Sequence, residues 1–216
     1  MEAEVRAKTR AKIIKPDHEL LEPGELGAVL ELTVKDKDGK VKKHHVLKSK
    51  SFVRQFLELL WIEANQIPEI GPIMVKDIDG TQQWISESSL AFACDAPIGD
   101  VSYGIVVGTG ITISTINDYK LEYLIAHGTE AGQLQYGDVA FGAPASDATT
   151  SHFTVTRDFA NGSGNTITVN EIGLYVKGYK YDVTYYFMII RDVIPGGIDV
   201  LDGETLTVNY REQAVI

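Results

Sequence analysis

The stretch Gly104-Ile-Val-Val-Gly-Thr-Gly-Ile-Thr-Ile-Ser114 decides how the chain is read. An apolar run meets a Gly108-Thr109-Gly110 turn, as it does where a nucleotide's phosphates are cradled. A dinucleotide loop needs a third glycine three positions on, and a helix whose N-terminus faces the phosphate. Position 113 is isoleucine, and Ile111 to Thr115 is rich in β-branched side chains, which lose rotamer freedom in a helix. No Gly-Lys-Ser or Gly-Lys-Thr of a P-loop occurs. The stretch therefore reads as a strand running into a loop, in a mainly β chain with no nucleotide cofactor.

Strand signals extend from it in both directions. Ala28–Val34 and Val41–Leu47 flank Asp36-Lys-Asp-Gly39, and an Asp-Gly turn between alternating runs predicts a hairpin. Ile73–Asp77 and Thr81–Ile85 flank Ile78-Asp-Gly80 in the same way, and a polar loop then leads to Leu90–Ala93. Further strands are predicted at Gly104–Val107, His152–Asp158, Thr166–Val169, Leu174–Lys177, Asp182–Arg191 and Glu204–Glu212. The run Tyr181–Arg191 is continuously apolar toward its end, which predicts burial on both faces there. Arg157-Asp158-Phe and Arg191-Asp192-Val each close an apolar run before a Gly-rich turn, an echo that would suit neighbours in one sheet.

One helix is predicted, from about Ser51 to Ala64. Its apolar stripe is Phe52, Val53, Phe56, Leu57, Leu60 and Ala64, widened by Leu59, Trp61 and Ile62. Ser49 or Ser51 is placed to cap its start, and Asn65 and Pro68 to end it. Arg54, Gln55, Glu58 and Glu63 form its expected wet face. A helix this apolar packs on a sheet or sits between two protein surfaces.

The chain has 216 residues and a formal net charge of −10, which speaks against a nucleic-acid binder. Its lysines concentrate early, at Lys35, Lys37, Lys40, Lys42, Lys43, Lys48 and Lys50, and read as the wet side of the first hairpin. The single cysteine, Cys94, excludes an internal disulfide and fits folding in a reducing cytoplasm. No charged start with an apolar core predicts a signal peptide, and no apolar run approaches the roughly 18 residues of a membrane span. The predicted organisation is a charged arm over residues 1–16 and one β-sandwich domain over 17–216, with a possible internal boundary near 95–103.

Chemical motifs are sparse. Asp36-Lys-Asp38-Gly39 and Asp77-Ile-Asp79-Gly80 lack the glycine and glutamate spacing of a calcium loop and read as turns. Among His18, His44, His45, His127 and His152 none has zinc-ligand spacing, and adjacent His44 and His45 point to opposite faces of a strand. Cys94 reads as a small buried hydrophobe, the alternative being a nucleophile paired with His127. Glu130 and Asp138 lie near tyrosines and are candidates for binding sugar. No catalytic residue, cofactor or metal is predicted.

The second half carries a series of short motifs: Gly108-Thr-Gly110, Asn117-Asp-Tyr119-Lys-Leu121, His127-Gly128, Arg157-Asp-Phe159, Asn161-Gly-Ser-Gly164, Glu171-Ile-Gly-Leu-Tyr175, Arg191-Asp-Val193 and Gly203–Tyr210. Their order resembles structural proteins encoded among the late genes of tailed phages and prophages. Lys50–Phe56 is similar to the front half of the same proteins, and Glu171–Tyr175 resembles a motif of tail-fibre and tail-collar proteins. The resemblance implies a virion component with no catalytic residues, which decorates or cements the head or forms a tail adaptor or tip. Its implied partners are copies of itself and capsid or tail proteins, with no nucleic acid or membrane.

The reading is a mostly antiparallel, jelly-roll-like β-sandwich with one amphipathic helix. Phe52, Phe56, Leu60, Trp61, Arg157, Glu171, Gly173, Tyr175 and Arg191 are the candidate structural and interface residues. Glu171 is expected to pair with Arg157 or Arg191, and Gly173 to admit a ring or backbone close to its strand. The alternative is a receptor- or host-glycan-binding module at a tail tip, with Trp84, Tyr123 and Tyr136 along a groove.

Overall fold

Both Asp-Gly turns fold the chain back where the sequence places them. The computed structural model describes residues 21–49, 52–66, 73–86, 90–180 and 183–216, so the expected arm 1–16, with His18, Lys50, Ser51 and Pro68, lies outside the described residues. Strands β1 (Leu26–Lys35) and β2 (Val41–Ser49) form the first hairpin. Asp36 holds its turn by accepting the N–H groups of Asp38 and Lys40. Tiny strands β3 (Val75–Lys76) and β4 (Gln82–Gln83) form the second, where Asp77 plays the same part. The lysines of the first hairpin pair with the chain's own acids: Lys42 with Asp36, Lys43 with Asp199 and Lys48 with Glu25.

The remaining strands are β5 (Leu90–Ala93), β6 (Gly104–Gly108), β7 (Gln135–Phe141), β8 (Ala145–Ser146), β9 (Thr150–Ala160), β10 (Ile167–Lys180), β11 (Val183–Val200) and β12 (Thr205–Val215). One sheet runs β2-β1-β12-β9-β7, with β8 also on β9. The other runs β11-β10-β5, and β6 pairs with β10 further along. All pairings of these strands are antiparallel. The chain is thus the antiparallel sandwich with one helix that its alternation predicts. The runs at Thr166–Val169 and Leu174–Lys177 merge into β10, because Gly173 is spanned within the strand.

Period-two alternation assigns the core. Ala28, Leu30, Leu32 and Val34 of β1 are buried with Leu206, Val208 and Tyr210 of β12. They join Ile105, Ile172, Leu174, Phe187 and Ile190 in one continuous apolar cluster spanning both sheets. Phe187 to Asp192 are all buried, as the apolar run predicted. The two Arg-Asp strand ends are not neighbours, which corrects the expectation from their echo. Arg157 lies in β9 of one sheet and Arg191 in β11 of the other.

The seam between the sheets differs on its two sides. On the β6 side, the segment Tyr123–Ile125 pairs with the end of β6, and a buried hydroxyl from β7 ties the two together. The Tyr136 hydroxyl donates to the Ile125 carbonyl at 2.7 Å and accepts the Val107 N–H at 3.4 Å. On the other side, between β2 and β11, a cleft of about 700 Å³ remains, lined among others by Leu47, Ile113, Asp192 and Pro195.

Helix α1 (Arg54–Ala64) packs beside β11, and its register corrects the sequence reading. Its N-cap is Val53, with no side-chain cap, and Ser49 instead ends β2. Phe52 bridges to Ile190, and the Val53 N–H donates to the Ile189 carbonyl at 3.0 Å. The sheet edge thereby holds the N-cap residue extended and replaces a serine cap. The first helical N–H, that of Arg54, donates to the Ile116 carbonyl at 3.0 Å. Asn65 ends the helix as expected.

The buried face is Gln55, Leu59 and Ile62, with Phe52 and Phe56 packed at its margin. Gln55 therefore leaves the expected wet face, and Leu57, Leu60 and Trp61 leave the expected core face, at 63%, 44% and 40% exposure. The helix is apolar on two sides, and the sheet selects one. Leu59→Ala should cost about 2–4 kcal/mol in urea unfolding, whereas Leu60→Ala should cost less than about 1 kcal/mol. Equal costs would contradict this rotation.

Candidate functional site

The densest polar constellation among the described residues forms where the loop after β6 meets β10 and β11. The 171, 173 and 175 positions of β10 share one face by strand periodicity. The segment Gly108–Leu124 lies over that face and is fastened to each of them.

Glu171 is 0% exposed. Its carboxylate accepts the backbone N–H groups of Gly110 at 3.0 Å, Glu122 at 3.1 Å and Tyr123 at 2.9 Å. The Arg191 guanidinium donates to it through Nε at 2.9 Å and lies at 2.9 Å through Nη2. Arg191 also donates to Asp118 at 2.6 Å and to the Thr112 carbonyl at 3.1 Å. Of the two partners the sequence allowed for Glu171, the fold chooses Arg191. Glu171 faces Arg191 diagonally, because Arg191 stands opposite Gly173 in the register.

The glycines explain the opening stretch. A Cβ at Gly108 would lie 2.6 Å from Glu171 Oε1 and 2.6 Å from the Tyr123 carbonyl. The Gly108-Thr109-Gly110 turn does cradle an anion, and that anion is the chain's own Glu171 carboxylate. At Gly173 a Cβ would come within 2.9 Å of the Tyr175 ring and 3.1 Å of Leu121, so the expected close approach of a ring is present. Tyr175 is buried, and its hydroxyl oxygen accepts the Leu121 N–H at 2.6 Å. The Glu-Ile-Gly-Leu-Tyr motif is thus a clamp: an acid, a gap and a phenol that fasten one loop.

The electrostatics match that role. Burial works against a charged Asp118, but hydrogen bonds from Thr115 and Arg191 outweigh it and hold its pKa below the usual carboxylate value. Burial likewise opposes the Arg191 charge, and Asp118 and Glu171 outweigh it and raise its pKa. Hydrogen bonds from Thr112, with smaller help from Arg191, hold Glu122 below its ordinary value. A shallow depression of about 330 Å³ opens over this cluster, lined by Asp118, Tyr119, Lys120, Glu122 and Arg191 among others. Asp118 and Glu122 lie within ion-pair distance of Arg191, and Lys120 sits over the Tyr119 ring.

The clamp presents an apolar surface. Ile111, Ile113, Ile116, Tyr123 and Leu124 all lie exposed on the fastened loop, Ile113 at 83%. Ile116 abuts the first turn of α1 through its carbonyl, so this surface adjoins the exposed Leu57, Leu60 and Trp61. The Phe52 and Phe56 rings lie 4.5 Å apart, tilted by 44°, and pack against the core. Isolated exposed apolar side chains are ordinary, and here several lie on the fastened loop and on the adjoining helix.

Arg157 stands apart from the clamp, at 0% exposure. Its five N–H groups meet five backbone carbonyls: Gly137, Tyr103, Ile105, Pro97 and Asp100, at 2.7–3.3 Å. The guanidinium carbon also sits 4.9 Å from the centre of the Tyr136 ring. Burial lowers its pKa.

The other sequence candidates separate. Cys94 is buried, and burial pushes its thiol up to about 12, which disfavours the thiolate a nucleophile needs. His127 Nδ1 already accepts the Tyr136 N–H at 3.0 Å. Tyr136 is 1% exposed, which removes it from any sugar-binding groove and corrects that expectation. Among the described residues no group of three metal-ligating side chains gathers. No helix among them is long and apolar enough to cross a membrane. Sequence reading missed Asp118, Thr112 and Glu122, because a loop's contact with a strand some 50 to 80 positions away leaves no local pattern.

Glu212 of β12 is a further perturbed group, since burial raises its pKa to about 7. Its native pKa stands above the ordinary 4.5, so between those values the folded chain keeps a proton that the unfolded chain has lost. Stability from this group therefore falls as pH rises through that window. Glu212→Gln should stabilise the fold at pH 8 by about 1–2 kcal/mol, after allowance for its partial exposure, and have little effect at pH 4.5. Denaturant midpoints across the pH range check this, and a gain that is the same at both pH values would contradict it.

Comparison with protein-family models, with curated proteins and with solved structures finds no match to this chain.

Proposed function

We propose that this chain is a non-enzymatic structural protein of a tailed-phage or prophage virion, which joins copies of itself and neighbouring capsid or tail proteins. It decorates or cements the head, or forms an adaptor or tip of the tail. The observation that supports the assembly role is the set of exposed apolar side chains Leu57, Leu60, Trp61, Ile113 and Ile116 on α1 and on the loop bonded to its first turn, the loop being held by the internal clamp. A rigid apolar patch loses little conformational entropy on docking, which is how interfaces gain affinity from modest area. The motif order that resembles phage late-gene proteins supplies the virion context.

The test is light scattering and sedimentation of the chain alone, and mixed with the capsid and tail proteins of its own genome. A complex of fixed stoichiometry is expected. Trp61→Glu should weaken it at least tenfold, which corresponds to about 1.4 kcal/mol, while leaving the melting temperature nearly unchanged. A chain that stays monomeric in every mixture would overturn the reading.

A further inference from the structure

A second surface of different chemistry lies on the outer face of the six-stranded sheet. Three residue rows cross it from β1 through β12 to β9: Gly27–Gln213–His152, Val29–Arg211–Thr154 and Glu31–Asn209–Thr156. A depression of about 280 Å³ opens over the second and third rows, with His152 at its end.

Its central cation, Arg211, is a partly buried arginine which, like Arg157 and the exposed Lys35, Lys37 and Lys40, has no carboxylate partner among the described residues. Lys42, Lys43, Lys48, Arg54, Lys177 and Arg191 each have a carboxylate within ion-pair distance. The acid on the same face, Glu31, is committed elsewhere. Its Oε1 lies 2.7 Å from His44 Nε2, and its Oε2 accepts from Asn209 Nδ2 at 3.1 Å. The Asn209 Oδ1 in turn accepts the Thr156 hydroxyl at 2.8 Å. This chain of bonds fixes the rim of the depression and leaves the guanidinium out of it.

The guanidinium itself is positioned. Its Nε is closed off from water without a partner, and its Nη2 lies 3.3 Å from His152 Nδ1. Beneath it is Val29, a buried apolar neighbour in the same row. A planar cation on an apolar floor, flanked by hydroxyls and an imidazole, suits a planar or tetrahedral oxyanion, because its outer N–H groups donate in a fixed fork. We propose that Arg211, with His152 and Thr154, forms a binding site for an oxyanion, either a carboxylate borne by an acidic sugar or a phosphate. The site is independent of the apolar assembly surface and goes beyond the reading given above.

The experiment is an NMR titration of the intact chain at pH 7 with sodium glucuronate and, separately, with inorganic phosphate, following the His152 ring and the Arg211 guanidinium. Saturable shifts at both residues are expected with at least one probe. Response to glucuronate alone identifies a sugar acid, and equal response to both identifies a general oxyanion site. Bound anion should also raise the His152 pKa, which burial and then the Arg211 charge lower in the free chain, while Asp147 and Glu31 are the acids facing that region.

Arg211→Gln should weaken binding at least tenfold and Arg211→Lys by less, with the exposed Arg54→Gln as an unaffected control. If Arg211→Gln does not fold, Thr154→Val takes its place and should weaken binding several-fold. No saturable response to either probe at concentrations on the order of 50 mM would overturn the proposal, since that places any Kd above the weak millimolar range. Binding that survives in the folded variant would overturn it too. Either failure leaves the assembly reading untouched.

Discussion

Arg157→Met is expected to destabilise the fold by about 3–5 kcal/mol, since each buried carbonyl left without a donor costs about 1–3 kcal/mol, offset in part by no longer burying a charge. The methionine fills much of the volume, so the cost is polar in origin. Five carbonyls, of Gly137, Tyr103, Ile105, Pro97 and Asp100, would lose the arginine donor at once, and Pro97 keeps another, the Asp100 N–H at 3.2 Å. Those carbonyls belong to the connection from β5 to β6, to β6 itself and to β7, so the arginine of β9 joins the two sheets. Arg157→Lys should cost nearly as much, because three donors on a point charge cannot reach five acceptors spread around a planar fork. Urea unfolding monitored by tryptophan fluorescence measures both, and the melting temperature should fall by on the order of 10 °C. A loss below about 1 kcal/mol for Arg157→Met would mean that the carbonyls find water instead, and that the seam is not sealed as described.

Glu171→Ala is expected to cost about 3–4 kcal/mol, and its mark should be local as well as global. The substitution removes the acceptor of three amides, Gly110, Glu122 and Tyr123, and leaves Arg191 with Asp118 as its closest counter-charge. Hydrogen exchange at those three amides should quicken by more than at the β1–β12 ladder, since only the loop loses its tether. The double variant Glu171→Ala/Arg191→Ala should cost less than the sum of the singles, because the second change removes a charge the first has stranded. Additive costs, or unchanged exchange in the loop, would show that the clamp does not hold it. The same variant should weaken association through Ile113 and Ile116, since an untethered loop pays its ordering entropy on docking.

Much of the frame was legible in the residues. The Asp-Gly turns, the β-branched alternation and the apolar run into Arg191 each have a short-range cause, and the strands form there. The burial of Arg157, which shares the apolar side of β9 with Val155 and Phe159, was not expected from its charge. The helix shows where such reading stops. Leu57, Leu60 and Trp61 are as apolar as Leu59 and Ile62, so spacing alone cannot say which side meets the sheet.

The Glu171 partner shows the same limit. Arg157 and Arg191 sit in near-identical local sequences, and only the sheet order separates them by placing one on each side of the sandwich. The sequence by itself determined the class of fold and the position of most strands, because turn chemistry and side-chain alternation act over a few residues; it missed β7 and β8, and β11 runs on past Arg191 through Gly196 and Gly197 to Val200 where a Gly-rich turn was expected. The tertiary structure alone decided which face of α1 is buried, which arginine Glu171 meets, and that the Gly108–Gly110 turn closes on an internal carboxylate. Those outcomes depend on contacts between segments tens of residues apart, and a chain's local pattern does not contain the geometry that brings them together.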